Sequence, residues 1–171
     1  MQEPSTPADR NKEPIRQILD VYLQPGTRVL ETGAGSGVHA MYVGERYPQI
    51  HWQPSNPDEG LNAVLTERLS DSNLPNVAAP ILLNVEQEVW PVTEVDLVVS
   101  INMLHISPWS AALGLFKGAA KVLKRDGYLY VYGPFKREGV PTAPGNQAFD
   151  QSLKSRDPAW GVRAFEDVVA A

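Results

Sequence analysis

The stretch RVLETGAGSG, residues 28–37, decides the fold of this chain. Its first half, RVLET, has the length of a short strand, and glycine then occupies every other position. Glycine lets a backbone turn tightly and lets a ligand approach where a Cβ atom would collide. A helix is expected from Val38 to Tyr47. Together these features predict a strand, a glycine-rich turn and a helix, with a ligand bound above the turn.

Strands and helices alternate outward from this segment. Further strands are expected at residues 50–53, 80–85, 95–101 and 128–132, and helices from Asn11, at residues 58–69 and at residues 107–126. The expected stripe of buried residues on the second of these helices is Leu61, Val64, Leu65 and Leu69. Helical crossovers between strands produce a mostly parallel sheet that is covered on both faces. We therefore predict a doubly wound, Rossmann-like α/β fold in one domain, residues 1–171.

Composition excludes several classes of protein. The chain has 171 residues and a net charge of −5, which disfavours a nucleic-acid partner. It has no cysteine, and no apolar run reaches the roughly 18–20 residues of a membrane helix. The three histidines share no metal-ligand spacing, so no metal site is predicted. We expect a cytoplasmic protein with no membrane partner.

The glycine spacing indicates which ligand the turn binds. Gly33, Gly35 and Gly37 form a G-x-G-x-G pattern, whereas a dinucleotide fingerprint needs its third glycine at the position of Val38. The carboxylate of Glu31 would repel a pyrophosphate but suits a cationic ligand. S-adenosylmethionine carries both a sulfonium and an ammonium group. The pattern favours that cofactor, although a purely structural turn would also explain the glycines.

Polar residues at the ends of the other strands are candidates for the rest of the cofactor. Asn56 follows the second strand, where a side chain that holds the ribose hydroxyls is expected, although an asparagine in a simple turn is the alternative. Asn84 and Val85 end the third strand, at the expected adenine edge, with a purely structural role as the alternative. Ser100 lies at the exit of the fourth strand, which would face the sulfonium.

Long irregular strings give the chain a family resemblance. They are ADRNKEPI at residues 8–15, WQPS at 52–55, NMLHISPW at 102–109, YGPF at 132–135 and RDPAWG at 156–161. By these strings the chain resembles the class I methyltransferases, and more narrowly one uncharacterised family of methyltransferase-like proteins. The resemblance implies the fold and S-adenosylmethionine as cofactor, but it does not imply the methyl acceptor. That family usually has an acid where this chain has Asn56, and tends to have one in place of Asn84.

The segment from Ser100 to Trp109 holds the candidate catalytic residues. Methyl transfer is an in-line displacement, so a general base helps only when the acceptor must lose a proton. His105 is the candidate base, and Asn102 is the candidate for holding the methionine part or an acceptor. The alternative for His105 is a structural histidine that hydrogen-bonds to the backbone. Trp109 is expected to form a wall of the acceptor site.

Two other groups of residues are candidate contacts. Arg10 is a candidate for pairing with the cofactor carboxylate or an anionic substrate, and Asn11 for contacting an acceptor, although Asn11 also suits a helix N-cap. Tyr132, Phe135 and Trp160 are candidates for an aromatic acceptor pocket, with ordinary core packing as the alternative.

The number of strands raises a question about the sheet edge. The resemblance to class I methyltransferases implies a sheet of seven strands, in which the last two form a hairpin beside strand five. Only five strands are expected in this chain. The fifth strand, residues 128–132, would then be an exposed aromatic edge, which is a template for pairing with another chain. Either the hairpin is missing or another molecule covers the edge, so we expect self-association through strand five, as in a homodimer, or a marginally soluble fragment.

Three functions compete at this stage. We expect S-adenosylmethionine-dependent methyl transfer to a small-molecule acceptor. The alternative is a non-catalytic protein that binds S-adenosylmethionine or another protein. A nicotinamide-dependent oxidoreductase is disfavoured by Val38 and Glu31.

Overall fold

The computed structural model describes residues 6–171, so residues 1–5 of the predicted domain lie outside the described residues. The helices are α1 (Pro7–Leu19), α2 (Val38–Arg46), α3 (Glu59–Ser70), α4 (Trp109–Val122), α5 (Pro144–Arg156) and α6 (Phe165–Ala170), with a 3₁₀ turn at Asp20–Tyr22. The strands are β1 (Arg28–Thr32), β2 (His51–Asn56), β3 (Ile81–Leu82), β4 (Val95–Ile101), β5 (Leu123–Tyr132), β6 (Phe135–Lys136) and β7 (Arg163–Ala164).

The main sheet has five parallel strands in the order β3-β2-β1-β4-β5. Strand order reverses between β1 and β4, so a crevice opens at the carboxyl ends of these two strands. The predicted doubly wound α/β fold is confirmed. The short strands β6 and β7 form a separate parallel pair.

The core has two layers, one on each face of the sheet. The first joins α1 and α2 to β1, β2 and β4, and its central buried residues include Ile15, Leu19, Val43, Trp52 and Val99. The second packs α4 against the opposite face, and its buried residues include Leu30, Leu83, Val98, Ala112 and Leu115. Because side chains alternate along β4, the neighbours Val98 and Val99 belong to different layers.

The first helix begins earlier than the sequence predicted. It starts at Pro7 rather than at Asn11, and Pro14 lies inside it. Thr6 and Asp9 form a capping box, in which each side chain bonds to the backbone N–H of the other residue. This reciprocal cap satisfies N–H groups that would otherwise lack partners at the helix start.

Strand boundaries also differ from the prediction at three strands. The third strand, predicted at residues 80–85, is confined to Ile81–Leu82, because it pairs only with the last two residues of β2. β2 continues beyond Gln53 through Pro54 to Asn56, because its pairing with β3 involves only Ser55 and Asn56 and leaves the proline outside that ladder. Helix α4 ends at Val122 instead of near residue 126, and the chain passes directly into a longer β5.

Within residues 6–171, β5 is an outer strand of the main sheet. Tyr128 on this strand is 55% exposed, and its ring lies 4.7 Å from that of Tyr22. Ile18 and Val21 nearby are also exposed. The self-association that we expect through this edge stays a prediction.

None of the helices in the described part of the chain combines the length and the apolar character needed to cross a bilayer.

Candidate functional site

A cavity of about 370 Å³ lies at the carboxyl ends of the main-sheet strands. The glycine turn after β1, the ends of β2 and β3, and the segment between β4 and α4 surround it. Its lining residues are Gly33, Gly35, Asn56, Pro57, Leu61, Leu83, Asn84, Val85, Glu86, Met103, Ile106, Ser107, Pro108, Ala111 and Trp160. Six predicted site residues therefore meet here: Gly33, Gly35, Asn56, Asn84, Val85 and Trp160.

The glycines of the turn have different tasks. Gly35 has a φ of +56°, and a Cβ atom built on it would meet nothing within 4 Å. It forms part of the cavity floor, so a ligand can approach its backbone. Gly37 has a φ of +79°, and a Cβ atom there would lie 2.1 Å from the side chain of Leu65. Gly37 is outside the cavity lining and is needed for the close packing of the turn on α3.

Hydrogen bonds from β2 and α3 hold the glycine turn. The backbone N–H of Ala34 donates to the carbonyl of Ser55 at 2.9 Å. The guanidinium of Arg68, in the last turn of α3, donates to the carbonyl of Ser36 at 2.8 Å. The side-chain amide of Asn56 bonds to Gly35 as well. The turn is therefore fixed from both sides.

The cavity has apolar walls and a polar edge. Leu83 and Val85 follow β3, and Ile106 and Ala111 face the cavity from the segment after β4 and from α4. At the edge, the side-chain oxygen of Asn84 accepts a hydrogen bond from the backbone N–H of Glu86 at 3.0 Å. Asn84 thus stabilises the turn that carries Val85.

The predicted buried stripe on α3 is wrong in two positions. Leu61 is 42% exposed and Val64 is 48% exposed, whereas Leu65 is fully buried. Leu61 lines the cavity instead of packing in the core. The sequence alone does not indicate this ligand contact, because it depends on where the end of β3 lies relative to α3.

Glu31 is buried behind the turn and is absent from the cavity lining. It is 1% exposed, and its carboxylate accepts a hydrogen bond from the indole N–H of Trp52 at 2.9 Å. Burial raises the pKa of Glu31 to about 7, against the opposing effect of that hydrogen bond. Its expected contact with a cationic ligand stays a prediction.

His105 is also buried and is absent from the cavity lining. It is 4% exposed; its ring meets the Phe149 ring edge-on at 5.3 Å and lies against Gly133. Its backbone carbonyl accepts a hydrogen bond from Gly161 at 3.0 Å. Burial, together with the charge of Arg163, lowers the pKa of His105 to about 4. The ring is neutral at pH 7, but protein atoms cover it.

Ser100 and Asn102 lie at the end of β4, outside the cavity lining. Asn102 has a φ of +58°, and its backbone N–H donates to the carbonyl of Tyr132 at 2.8 Å. The hydroxyl of Ser100 is buried and has no hydrogen-bond partner among the described residues. Neither residue is among those that line the cavity, so the contacts expected of them stay predictions.

The two candidates on α1 lie away from the cavity. Arg10 is exposed on α1. Asn11 does not cap the helix; its side-chain oxygen lies 3.0 Å from Nε2 of His39, which is 5% exposed. Burial and the charge of Lys12 lower the pKa of His39 to about 4, so this ring is neutral and donates to Asn11. The pair joins α1 to α2.

The aromatic candidates do not form one pocket. Tyr132 is 36% exposed at the end of β5, and Phe135 packs edge-on against Phe165 at 6.2 Å. Trp160 lies at the cavity and also, with Trp109, lines an adjacent open hollow of about 590 Å³. The structure therefore places these side chains in separate surroundings.

Sequence reasoning missed Arg163, which fastens the chain after α5 to the segment after β4. Its guanidinium donates to the carbonyls of Leu104, Ser107 and Ala159. No sequence pattern indicates this role, because carbonyl acceptors can come from any residue. The arginine holds Trp160 and the cavity wall at residues 103–108 as one unit.

Asp150 holds the same C-terminal segment from the other side. Its carboxylate accepts hydrogen bonds from Lys136 at 2.7 Å, from Lys154 at 2.8 Å and from the backbone N–H of Val162 at 2.8 Å. These bonds lower the pKa of Asp150 to about 2 in spite of its burial. Arg163 and Asp150 together hold the chain around Trp160 in place.

No group of three or more metal-ligating side chains occurs within residues 6–171.

Solved structures with a similar fold include YcgJ from Bacillus subtilis, with a TM-score of 0.73 and 18% identity over 94% of this chain and 65% of that one. Mitomycin 7-O-methyltransferase MmcR gives a TM-score of 0.78 and 14% identity over 95% of this chain and 46% of that one. Coclaurine N-methyltransferase, solved with N-methylheliamine and SAH, gives a TM-score of 0.60 and 20% identity over 77% of this chain and 38% of that one. The chain thus spans less than two thirds of each.

These structural similarities show that the fold is that of Rossmann-like methyltransferases. Sequence similarity reaches further along the chain, because the model of one protein family matches residues 2–171. That family is described as a protein of unknown function, DUF938, and the chain belongs to it.

Proposed function

We propose that this chain binds S-adenosylmethionine and transfers its methyl group to a small-molecule acceptor. The observation that carries the proposal is the cavity above the glycine turn, with the open backbone of Gly35 on its floor. It lies at the position where doubly wound domains bind their ligands. The similarity to methyltransferases, one of them solved with SAH, supports the same choice.

The residues of the cavity fit the adenosine part of that cofactor. A flat apolar ring suits the walls formed by Leu83, Val85 and Ile106. The polar edge at Asn84 and Glu86 offers hydrogen-bonding groups to the ring nitrogens. A Cβ atom at Gly35 would fill space that the ligand needs.

In methyl transfer, the main role of the protein is to position the reactants. S-adenosylmethionine, when bound, supplies a methyl carbon activated by its sulfonium. The chain would hold the cofactor on the glycine turn and exclude water from the acceptor. Asn102 and His105 remain the proposed contacts for the acceptor; His105 is neutral at pH 7, but the burial that lowers its pKa to about 4 makes it a weak base while it stays covered. Phe149 would have to move to uncover it.

A second candidate is a non-catalytic protein that binds S-adenosylmethionine. The observation that favours it is the burial of His105, which is 4% exposed and is covered by Phe149 and Gly133. An acceptor that must lose a proton cannot reach His105, the candidate base, in this arrangement.

Calorimetric titration with S-adenosylhomocysteine tests the cofactor site. Leu61 and Val64 provide a matched pair, since both are about half-exposed on α3 and only Leu61 lines the cavity. We expect Leu61→Arg to weaken binding at least tenfold and Val64→Arg to leave it unchanged. Equal affinities of the two variants would contradict the proposed site.

Turnover separates the two candidates. Transfer of a radiolabelled methyl group from S-adenosylmethionine to any member of a mixed set of alcohols, amines and thiols supports the enzyme. Tight cofactor binding without transfer to any acceptor supports the binding protein instead. Titration with NADH should give no heat, because Val38 replaces the third glycine of a dinucleotide site.

A further inference from the structure

Asn56 ends β2 and is fully buried against the glycine turn. Its side-chain oxygen accepts a hydrogen bond from the backbone N–H of Gly35 at 2.7 Å. Its side-chain nitrogen donates to the carbonyl of Gly35 at 3.1 Å and to the side-chain oxygen of Asn62 at 3.2 Å. The amide thus bonds to both polar groups of one glycine, which fixes its orientation. Rotating the amide by 180° would place its NH₂ group against the N–H of Gly35 and its oxygen against the carbonyl of Gly35.

The sequence suggested another task for this residue, namely binding the ribose hydroxyls. Three of its hydrogen-bonding positions are already occupied by Gly35 and Asn62. Its backbone carbonyl is also engaged, because it accepts from Leu83 at 2.9 Å. Little of the side chain is left for a ligand.

We propose that Asn56 is a positioning residue: it holds Gly35 in its left-handed conformation as part of the cavity floor, and it does not read the ribose. The inference takes its ligand from the proposed function, whereas the contacts of Asn56 on which it is built do not depend on that function. Gly35 has a φ of +56° with open space beside it, so its own packing does little to fix its orientation. The Asn56 amide supplies that restraint.

The two roles predict opposite effects for Asn56→Asp. A carboxylate is a stronger acceptor for ribose hydroxyls than an amide, so a ribose-binding residue would bind more tightly after the change. A positioning residue would do the reverse, because an ionised carboxylate cannot donate and would repel the carbonyl of Gly35. We expect N56D to raise the Kd for S-adenosylhomocysteine at least tenfold at pH 8.

The pH profile distinguishes positioning from simple damage. A protonated carboxyl group can donate to the carbonyl of Gly35, so the affinity of N56D should approach that of the unmodified protein at pH 5. The ratio of the two Kd values should therefore fall by at least fivefold between pH 8 and pH 5. A constant ratio would overturn the inference. Asn62→Ala is the control, since it leaves both bonds to Gly35 intact, and it should change the Kd less than threefold.

Hydrogen exchange tests the contact without any ligand. The N–H of Gly35 bonds to the Asn56 side chain, whereas the neighbouring N–H of Ala34 bonds to the backbone of Ser55. In Asn56→Ala, we expect exchange at Gly35 to accelerate at least tenfold and exchange at Ala34 to stay within twofold. Unchanged exchange at Gly35 would overturn the inference.

These measurements keep the two proposals apart. If the unmodified protein binds no S-adenosylhomocysteine, the proposed function fails, and exchange at Gly35 still decides the role of Asn56. If it binds and N56D binds more tightly, the positioning role fails and the cofactor site stands. If N56D does not fold, protection of the Gly35 amide in the unmodified protein gives the answer. An unprotected amide there would overturn the inference.

Discussion

The two sides of the glycine turn differ in how they use their polar groups. On the side of β2 and β3, Asn56 and Asn84 bond to nearby backbone and leave an open cavity in front of them. On the side of β4 and β5, His105 is covered by protein. There, Arg163 and Asp150 fasten the chain after α5 across the end of the sheet.

A ligand could bind on the side of β2 and β3 without rearrangement, because polar groups there already hold the backbone that it would contact. The side of β4 and β5 is covered by a segment distant in sequence, so exposing His105 requires that segment to move.

The largest effect is expected from the two glycines of the turn. Gly37→Ala combines a strained φ with a collision against Leu65, and we expect it to lower the free energy of unfolding by about 4 kcal/mol. Gly35→Ala meets only the φ penalty, about 1 kcal/mol, but should weaken S-adenosylhomocysteine binding strongly. Urea unfolding and calorimetry measure the two quantities. Equal stability losses would contradict the distinct roles of the glycines.

Glu31, which bonds to Trp52 on β2, gives a pH-dependent effect on stability. Its pKa is raised to about 7 in the folded protein, so folding disfavours its charged form. The unfolded chain loses this proton near pH 4.5, and the folded protein retains it until near pH 7. Stability from this group therefore falls as the pH rises through that window.

Glu31→Gln removes the titration and retains an acceptor for Trp52. We expect it to make no difference at pH 4 and to stabilise the fold by up to about 3 kcal/mol above pH 7. Urea unfolding across pH 4–8 measures the difference. A gain that does not depend on pH would show that the carboxylate is not buried in this way.

Arg163 tests the closed side. Arg163→Ala removes three hydrogen bonds to carbonyls, and we expect a loss of about 2 kcal/mol in unfolding free energy. Hydrogen exchange should accelerate at residues 103–107 and 159–164. Arg156→Ala is the control, because its guanidinium only stacks over Trp160. Acceleration confined to the residues around position 163 would contradict the fastening of the two segments.

The smallest effect on stability, below about 0.5 kcal/mol, is expected at the exposed edge of β5. Tyr128 is 55% exposed there, so Tyr128→Lys should leave the fold intact and prevent pairing of two edges. In sedimentation at tens of micromolar, we expect the unmodified chain to form dimers and the variant to be monomeric. A monomeric unmodified chain would refute the predicted assembly.

Local patterns in the sequence were enough to predict the parallel sheet and six of the fifteen residues that line the cavity. The glycine spacing after β1 and the apolar run of β4 gave the parallel fold, because both are set by neighbouring residues. Gly35, Asn84 and Val85 were predicted at the ligand because strand ends meet at one edge of a parallel sheet.

The rest depended on contacts between distant parts of the chain. His105 is covered by Gly133 and Phe149, which lie 28 and 44 residues further along, so its burial has no local signal. The bonds of Asn56 to Gly35 span 21 residues and give the residue a different task from the one its position suggested. Arg163 acts on backbone carbonyls, which every residue carries.

The central claim is that a ligand of the S-adenosylmethionine type binds above the glycine turn. Nuclear magnetic resonance of the ¹⁵N-labelled chain, titrated with S-adenosylhomocysteine, tests it most directly. We predict saturable shifts at the amides of residues 33–35, 84–86 and 103–107, with little change in the second hollow at Ala170. No shift at millimolar ligand, or shifts only outside the cavity, would contradict the account.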